Sequence, residues 1–349
     1  MIQHFRFRRV LASIICVGLL TTLAGAVQTA PSPASPVTAH APNEGLAFVN
    51  GVRGQDEIVV VNVRTLCGIC DPQSIRNGVT VENYAVDDQA VQRRWQRSDL
   101  DSLLAGDPSV PTIIFVHGNQ ITTNDARQEG LVLYRRIMQY GSSGPQIRLV
   151  IFSWPSARVG GLLRDVRVKA ARTGPAGCQL AWLIDQMPAE TPISLVGFSF
   201  GARVITGGLH ILGGGNLGHH ALSERVNPNR PPMNVVLLPA GVHAHWLGEG
   251  QYHGLAMTQV NQMFLVNNCR DPAMRYYHLA FKGAQALGLR GPTCLSAAER
   301  SKIQMRDVSR YVSRHDLYHY LCAPGVPGHI WDYAIGVTPA SEAQVVFAN

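Results

Sequence analysis

The five residues Gly197-Phe198-Ser199-Phe200-Gly201 close the apolar run ISLVGF (193–198) and open the helical pattern GARVITGGLHIL (201–212). A serine set between glycines where a strand turns directly into a helix can act as a nucleophile. The glycines allow the tight turn, the side chain projects at the carboxyl edge of a sheet, and the backbone N–H of Phe200 points at developing negative charge. The other reading of the same residues is a glycine-lined helix start that Ser199 caps. The rest of the chemistry decides between them. A serine hydroxyl is a poor nucleophile at its ordinary pKa, so it needs an imidazole to take its proton and a carboxylate to hold that imidazole.

Both partners have candidates downstream. The strand-like run QMFLVNN (262–268) leads into a turn carrying Asp271, and KIQMRDVS (302–309) leads into a segment carrying His315 and, four residues on, His319. Asp307 and Asp316 compete with Asp271 for the acid. Asp316 adjoins His315 in sequence, where neighbouring side chains diverge, and Asp307 would share an element with the histidine. If their segment is helical, His315 and His319 share a face, and spacing alone leaves both open as the general base. Upstream, TIIFVHG (112–118) is a β-branched run ending in His117-Gly118, and the loop beyond it offers the backbone N–H groups of Asn119 and Gln120 as the second half of an oxyanion hole. His117 is a further candidate base, but it precedes the serine in the chain.

In the His-Gly loop, the serine elbow and the Ser, Asp, His order, the chain resembles the α/β-hydrolase superfamily, with its serine esterases and lipase-like members, over roughly Glu57 to Leu321. The resemblance implies an α/β-hydrolase fold, with about eight mostly parallel strands and helices on both faces. It also implies cleavage of an ester or related acyl bond with no metal or organic cofactor. It assigns Ser199 as nucleophile, Asp271 as orienting acid and His315 as base, since the family's histidine follows the last strand. Phe200, Asn119 and Gln120 become the oxyanion donors, and His117 and Gly118 the support of that loop. The departures are phenylalanines at both variable elbow positions and no insertion that reads as a separate lid.

Positioning these residues requires alternating strands and helices, and the periodicity supplies them. Strand-like runs fall at 57–63, 78–86, 112–118, 147–154, 193–198, 233–240, 262–268 and 302–309, with helical patterns at 125–140, 178–187 and 201–212. Alternation of this kind predicts a mostly parallel sheet covered on both faces. With no internal repeat or second linker, one domain over 47–349 is expected. Ahead of it, residues 1–26 have the layout of a secretory signal peptide: Arg6, Arg8 and Arg9, an apolar run to Leu23, then Ala24-Gly25-Ala26. The alternative is an uncleaved membrane anchor, but the apolar run is shorter than the roughly 20 residues of a spanning helix, so cleavage after Ala26, leaving no membrane span, is the favoured expectation. A Pro/Ala-rich linker, 27–46, follows.

The composition, 46% apolar and 15% charged, excludes disorder for most of the chain. Losing the three signal arginines would lower the net charge from +7 to +4, and the remaining basic residues form no run with interleaved aromatics, which argues against nucleic acid as a partner. Export and an even count predict that Cys67, Cys70, Cys178, Cys269, Cys294 and Cys322 are paired in disulfides, with 15 possible pairings. A zinc reading of Cys67-Gly-Ile-Cys70 lacks a second Cys or His half-site, and a redox reading lacks a surrounding thioredoxin-like βαβ unit. His243 and His245, with His253 nearby, could pair on a metal but lack a third ligand at a clear spacing, and read better as a polar loop on the site's rim. Trp154 could line an acyl pocket but reads better as core. The function read from the chain is an exported (periplasmic, cell-surface or secreted) serine hydrolase acting on a small-molecule or lipid ester. Acyl transfer on the same three residues, or a non-catalytic binding protein on the same fold, remain alternatives, and the sequence sets no oligomeric state.

Overall fold

The computed structural model describes residues 48–87 and 92–336, so the expected signal peptide and linker lie outside the described residues. Nine strands form one sheet: β1 (Glu57–Asn62), β2 (Thr80–Asp87), β3 (Gln92–Ser98), β4 (Thr112–Val116), β5 (Arg148–Ser153), β6 (Ile193–Phe198), β7 (Met233–Leu238), β8 (Val260–Asn267) and β9 (Ile303–Asp307). Their order across the sheet is β9-β8-β7-β6-β4-β5-β1-β2-β3, parallel throughout except where β2 runs antiparallel to β1 and β3. A separate two-stranded ribbon pairs Phe48–Val49 with Val52–Arg53.

The unbroken apolar runs of the central strands follow from burial on both faces. Val59, Val61, Ile114, Val116, Val150, Phe152 and Leu195 point to one side, where helices α2 (Leu162–Gln186) and α3 (Phe200–Leu212) cover them. Their alternates Ile58, Val60, Ile113, Phe115, Leu149, Ile151 and Val196 point to the other, against α1 (Thr123–Gly141) and α4 (Val326–Ala334). α1 begins at a capping box in which the Thr122 hydroxyl accepts from the Asp125 N–H while the Asp125 carboxylate accepts from the Thr122 N–H. Deleting one of these fully buried side chains, Leu195→Ala for example, costs about 2–5 kcal/mol.

Three features differ from the sequence expectation. The sheet has nine strands, the extra one being β3, an arginine- and glutamine-rich edge strand without an apolar face to mark it. The helix expected at 178–187 begins at Leu162, its first half hidden by charged residues and by Pro175 inside it. Among the described cysteines, Cys70 and Cys178 form one disulfide, with Cα atoms 5.7 Å apart, whereas Cys67, Cys269, Cys294 and Cys322 are free and exposed. Full pairing therefore does not hold. The four thiols sit on separate surface segments: Cys67 in the loop after β1, Cys269 in the turn after β8, Cys294 in the loop before β9 and Cys322 at the end of the short helix Leu317–Leu321.

Candidate active site

Central strand β6 runs into α3 through Ser199, whose backbone has φ 56° and ψ −118°, a conformation a side chain rarely adopts and one that costs about 1–3 kcal/mol. The surroundings hold it there. The Ser199 N–H donates to Leu238 O at 3.1 Å, and its carbonyl accepts from Gly241 N at 3.0 Å. A Cβ at Gly201 would stand 1.9 Å from the Val116 carbonyl oxygen, so only glycine lets α3 start this close to β4.

At the same edge the three sequence-assigned residues lie in one hydrogen-bonded chain. Ser199 Oγ is 2.8 Å from His315 Nε2, and His315 Nδ1 is 2.7 Å from Asp271 Oδ2. A carboxylate can only accept, so Nδ1 donates to Asp271, and Nε2 faces the serine hydroxyl. Asp271 is fully buried at the N-terminus of the short helix Pro272–Arg275, where its Oδ1 accepts from Ala273 N at 2.8 Å and Met274 N at 3.3 Å. Tyr320 donates to Asp271 Oδ2 at 2.6 Å, and Asn268 Nδ2 donates in turn to the Tyr320 hydroxyl at 2.7 Å. Burial alone would raise the Asp271 carboxyl, but His315, Tyr320 and the Ala273 N–H together hold it below the usual carboxylate range. The same burial, with Asp271 alongside, pushes the Tyr320 phenol up. The imidazole of His315 lies on the ring of Phe198, with centroids 4.9 Å apart, so the first elbow phenylalanine is the platform for that histidine.

The competing residues are elsewhere engaged. Asp307 accepts from Ser309 N, Asp316 caps the helix Leu317–Leu321, and exposed His319 bonds Asp316 at 3.1 Å. His117 is sealed beneath its own loop. Its Nδ1 donates to Gly118 O at 2.9 Å, while Nε2 accepts from Arg64 Nη2 at 3.1 Å and Trp154 N at 3.3 Å. Burial, with the Arg64 charge beside it, pushes the imidazole down to about 3, so it stays neutral. Trp154 is core, its indole N–H donating to His117 O at 2.9 Å.

The loop after His117 lies against the serine: a Cβ on Gly118 would stand 3.2 Å from Ser199 Cβ. Asn119 Nδ2 and Gln120 Nε2 both donate to Asp165 Oδ2, at 3.0 and 3.2 Å, and Gln120 takes a φ of 60°. Asp165 is fully buried on α2 and paired at 2.7 Å with equally buried Lys169. These side-chain anchors leave the backbone N–H groups of Phe200, Asn119 and Gln120 with no acceptor among the described residues. Sequence reasoning missed Asp165, Lys169, Tyr320 and Asn268; the four-residue spacing of Asp165 and Lys169 on one helix face was the available signal.

Cys269, two residues before Asp271, carries a free thiol, so no disulfide braces the acid turn; the Cys269 N–H donates to Ser309 Oγ at 2.9 Å instead. His243 bonds the Tyr277 hydroxyl at 2.8 Å and His253 bonds Thr206 Oγ1 at 2.9 Å, and no group of three or more His, Cys, Asp or Glu among the described residues is placed to hold a metal.

A mostly parallel sheet covered on both faces, with a serine elbow leaving its central strand and the acid and histidine after later strands, is the α/β-hydrolase fold. No protein-family model and no curated protein sequence matches the chain. Among solved structures it is similar to esterase B from Lactobacillus rhamnosis, at 12% identity over 78% of this chain and 82% of that one with a TM-score of 0.34. A tributyrin phosphonate structure of esterase B from the same organism gives 13%, 79% and 84%, with a TM-score of 0.38. A bifunctional GH43-CE protein of Bacteroides eggerthii gives 11% identity over 67% of this chain with a TM-score of 0.37, and the chain spans only 35% of that protein.

Proposed function

We propose that the protein is an exported serine hydrolase that cleaves an ester through an acyl-enzyme intermediate. The observation that carries this reading is the unbroken chain from Ser199 Oγ through His315 to buried Asp271. In the proposed reaction, Ser199 Oγ attacks the ester carbonyl as its proton passes to His315 Nε2, and the negative oxygen is met by the N–H of Phe200 together with that of Asn119 or Gln120. Collapse of this intermediate expels the alkoxide, which takes the proton from His315 and leaves the acyl group on Ser199. A water then attacks the acyl carbon, its proton passing to His315 and on to the departing Ser199 oxygen, which releases the carboxylic acid. Asp271 stays ionised throughout, holding the ring and offsetting the imidazolium charge.

Export is supported by the N-terminal pattern and by the Cys70–Cys178 disulfide, a bond that persists in oxidising compartments. Among the described residues no helix is long and apolar enough to cross a membrane. The test is covalent labelling. A fluorophosphonate should modify the folded protein, peptide mapping should place the adduct on Ser199, and Ser199→Ala should lose both label and hydrolysis of a short p-nitrophenyl ester. An adduct on another residue, or none on folded protein, removes the assignment.

A further inference from the structure

One turn beyond Ser199 on α3 stands Arg203, a cation with no carboxylate beside it. It hydrogen-bonds the Tyr277 hydroxyl and lies near the Tyr252 phenol, but among the described residues it makes no ion pair, and its Nη1 is buried with no hydrogen-bond partner. Three aromatic faces surround the guanidinium instead: Trp246 at 4.4 Å, Phe281 at 5.3 Å and Phe200 at 6.0 Å from ring centroid to Cζ. Aromatic faces hold a cation in place without neutralising it, so the positive charge is kept rather than cancelled.

Arg203 borders a cleft of about 290 Å³ that it shares with Thr173, Tyr252, His219, His220 and His253. No aspartate or glutamate lines this cleft among the described residues, and His220 Nδ1 is a second buried nitrogen there without a partner. The turn carrying His219 and His220 is fixed by reciprocal backbone bonds between Leu217 and His220, at 2.9 and 3.1 Å. Side chains on a helix lean toward its N-terminus, here the Ser199 end, and the stacking of Arg203 over Phe200 follows that direction. Four residues at 1.5 Å each separate the two positions by about 6 Å along the axis.

We propose that this cleft receives an anionic group of the substrate, a carboxylate or a phosphate, so that the preferred esters carry negative charge a short chain away from the scissile bond. The proposal rests on the acyl-hydrolase reading and adds the substrate class to it. An incoming oxyanion would supply the countercharge that the fold withholds from Arg203.

The test compares p-nitrophenyl hemisuccinate, hemiglutarate and hemiadipate with neutral p-nitrophenyl esters of matched chain length on the wild-type protein. A charge-assisted hydrogen bond predicts a kcat/KM advantage of roughly ten- to a hundredfold for the best charged ester. Arg203→Met should collapse the charged-to-neutral ratio to near one and Arg203→Lys should restore part of it, which a merely structural arginine would not produce. Glutarate and inorganic phosphate, each used to inhibit hydrolysis of a neutral ester, separate the sources: stronger inhibition by glutarate supports a carboxylate and stronger inhibition by phosphate a phosphoryl group. Ser199-dependent hydrolysis with no charge preference and no inhibition by either anion overturns the proposal alone. No hydrolysis of any ester, with no fluorophosphonate adduct, overturns the hydrolase reading beneath it. Should Arg203→Met fail to fold, the wild-type comparison still decides.

Discussion

Two histidines stand near Ser199, one in the loop after β4 and one in the segment after β9, and the chain treats them oppositely. His117 is sealed, has an arginine for a neighbour and is driven down to about 3. The His315 side chain is 23% exposed and has a buried carboxylate on the far nitrogen. Burial beside a cation keeps the His117 ring a neutral strut, whereas the carboxylate behind His315 fixes that ring with Nε2 toward the serine hydroxyl, the arrangement on which the proposed base role rests. Proximity to a serine is therefore a poor guide to a general base; what lies behind the ring decides.

The contrast is broken most severely at His315. His315→Ala should lower ester turnover by about four powers of ten, and His319→Ala by less than about threefold, in variants of unchanged melting temperature. The opposite ranking would transfer the role to His319. At the strut the expected loss is in stability: His117→Gln should lower the unfolding free energy by about 1–3 kcal/mol while costing far less turnover than His315→Ala, as read by urea denaturation and initial rates.

Acid sharpens the same comparison. The folded pKa of His117 lies below the ordinary 6.5, so in between the unfolded chain binds a proton that the folded chain does not. Its contribution is fully present above pH 6.5 and is lost as pH falls, at roughly 1.4 kcal/mol per pH unit. His253, nearly fully buried and also lowered, adds in the same direction. Urea midpoints between pH 7.5 and 4.5 should fall accordingly, and His117→Gln should flatten that slope by about one proton. The smallest effect is expected at the hydroxyl behind the acid. Tyr320→Phe removes one donor from Asp271, so its carboxyl rises, kcat/KM drops by about threefold to tenfold, and the acid limb of the pH profile moves upward. An unchanged profile would make Tyr320 a packing residue only.

That Ser199, Asp271 and His315 would meet was legible because a strand-to-helix turn, a strand end and a post-strand loop each leave a local mark, and chain order orients the set. Distinguishing His315 from His319 needed the family resemblance, since their spacing allows either. The supporting residues left no such mark. Asp165 meets Asn119 and Gln120, and Tyr320 meets Asp271, across long separations that no periodicity encodes. The cysteine expectation went astray because an even count carries no geometry: among the described cysteines only Cys70 and Cys178 are brought together. The same holds for the phenylalanines flanking the serine. As sequence they were an anomaly; in the fold they point to opposite faces, one under His315 and one under Arg203.

The edge strand β3 has a further consequence, for how copies of this chain meet. Among the described residues β3 bonds only to β2 within the sheet, and an outer row of N–H and C=O groups of this kind is a template on which another chain could polymerise. Arg94 and Arg97 are exposed along it. Two such edges brought together would set guanidinium against guanidinium, so the charge that hid this strand among its apolar neighbours also opposes growth of the sheet from one molecule into the next.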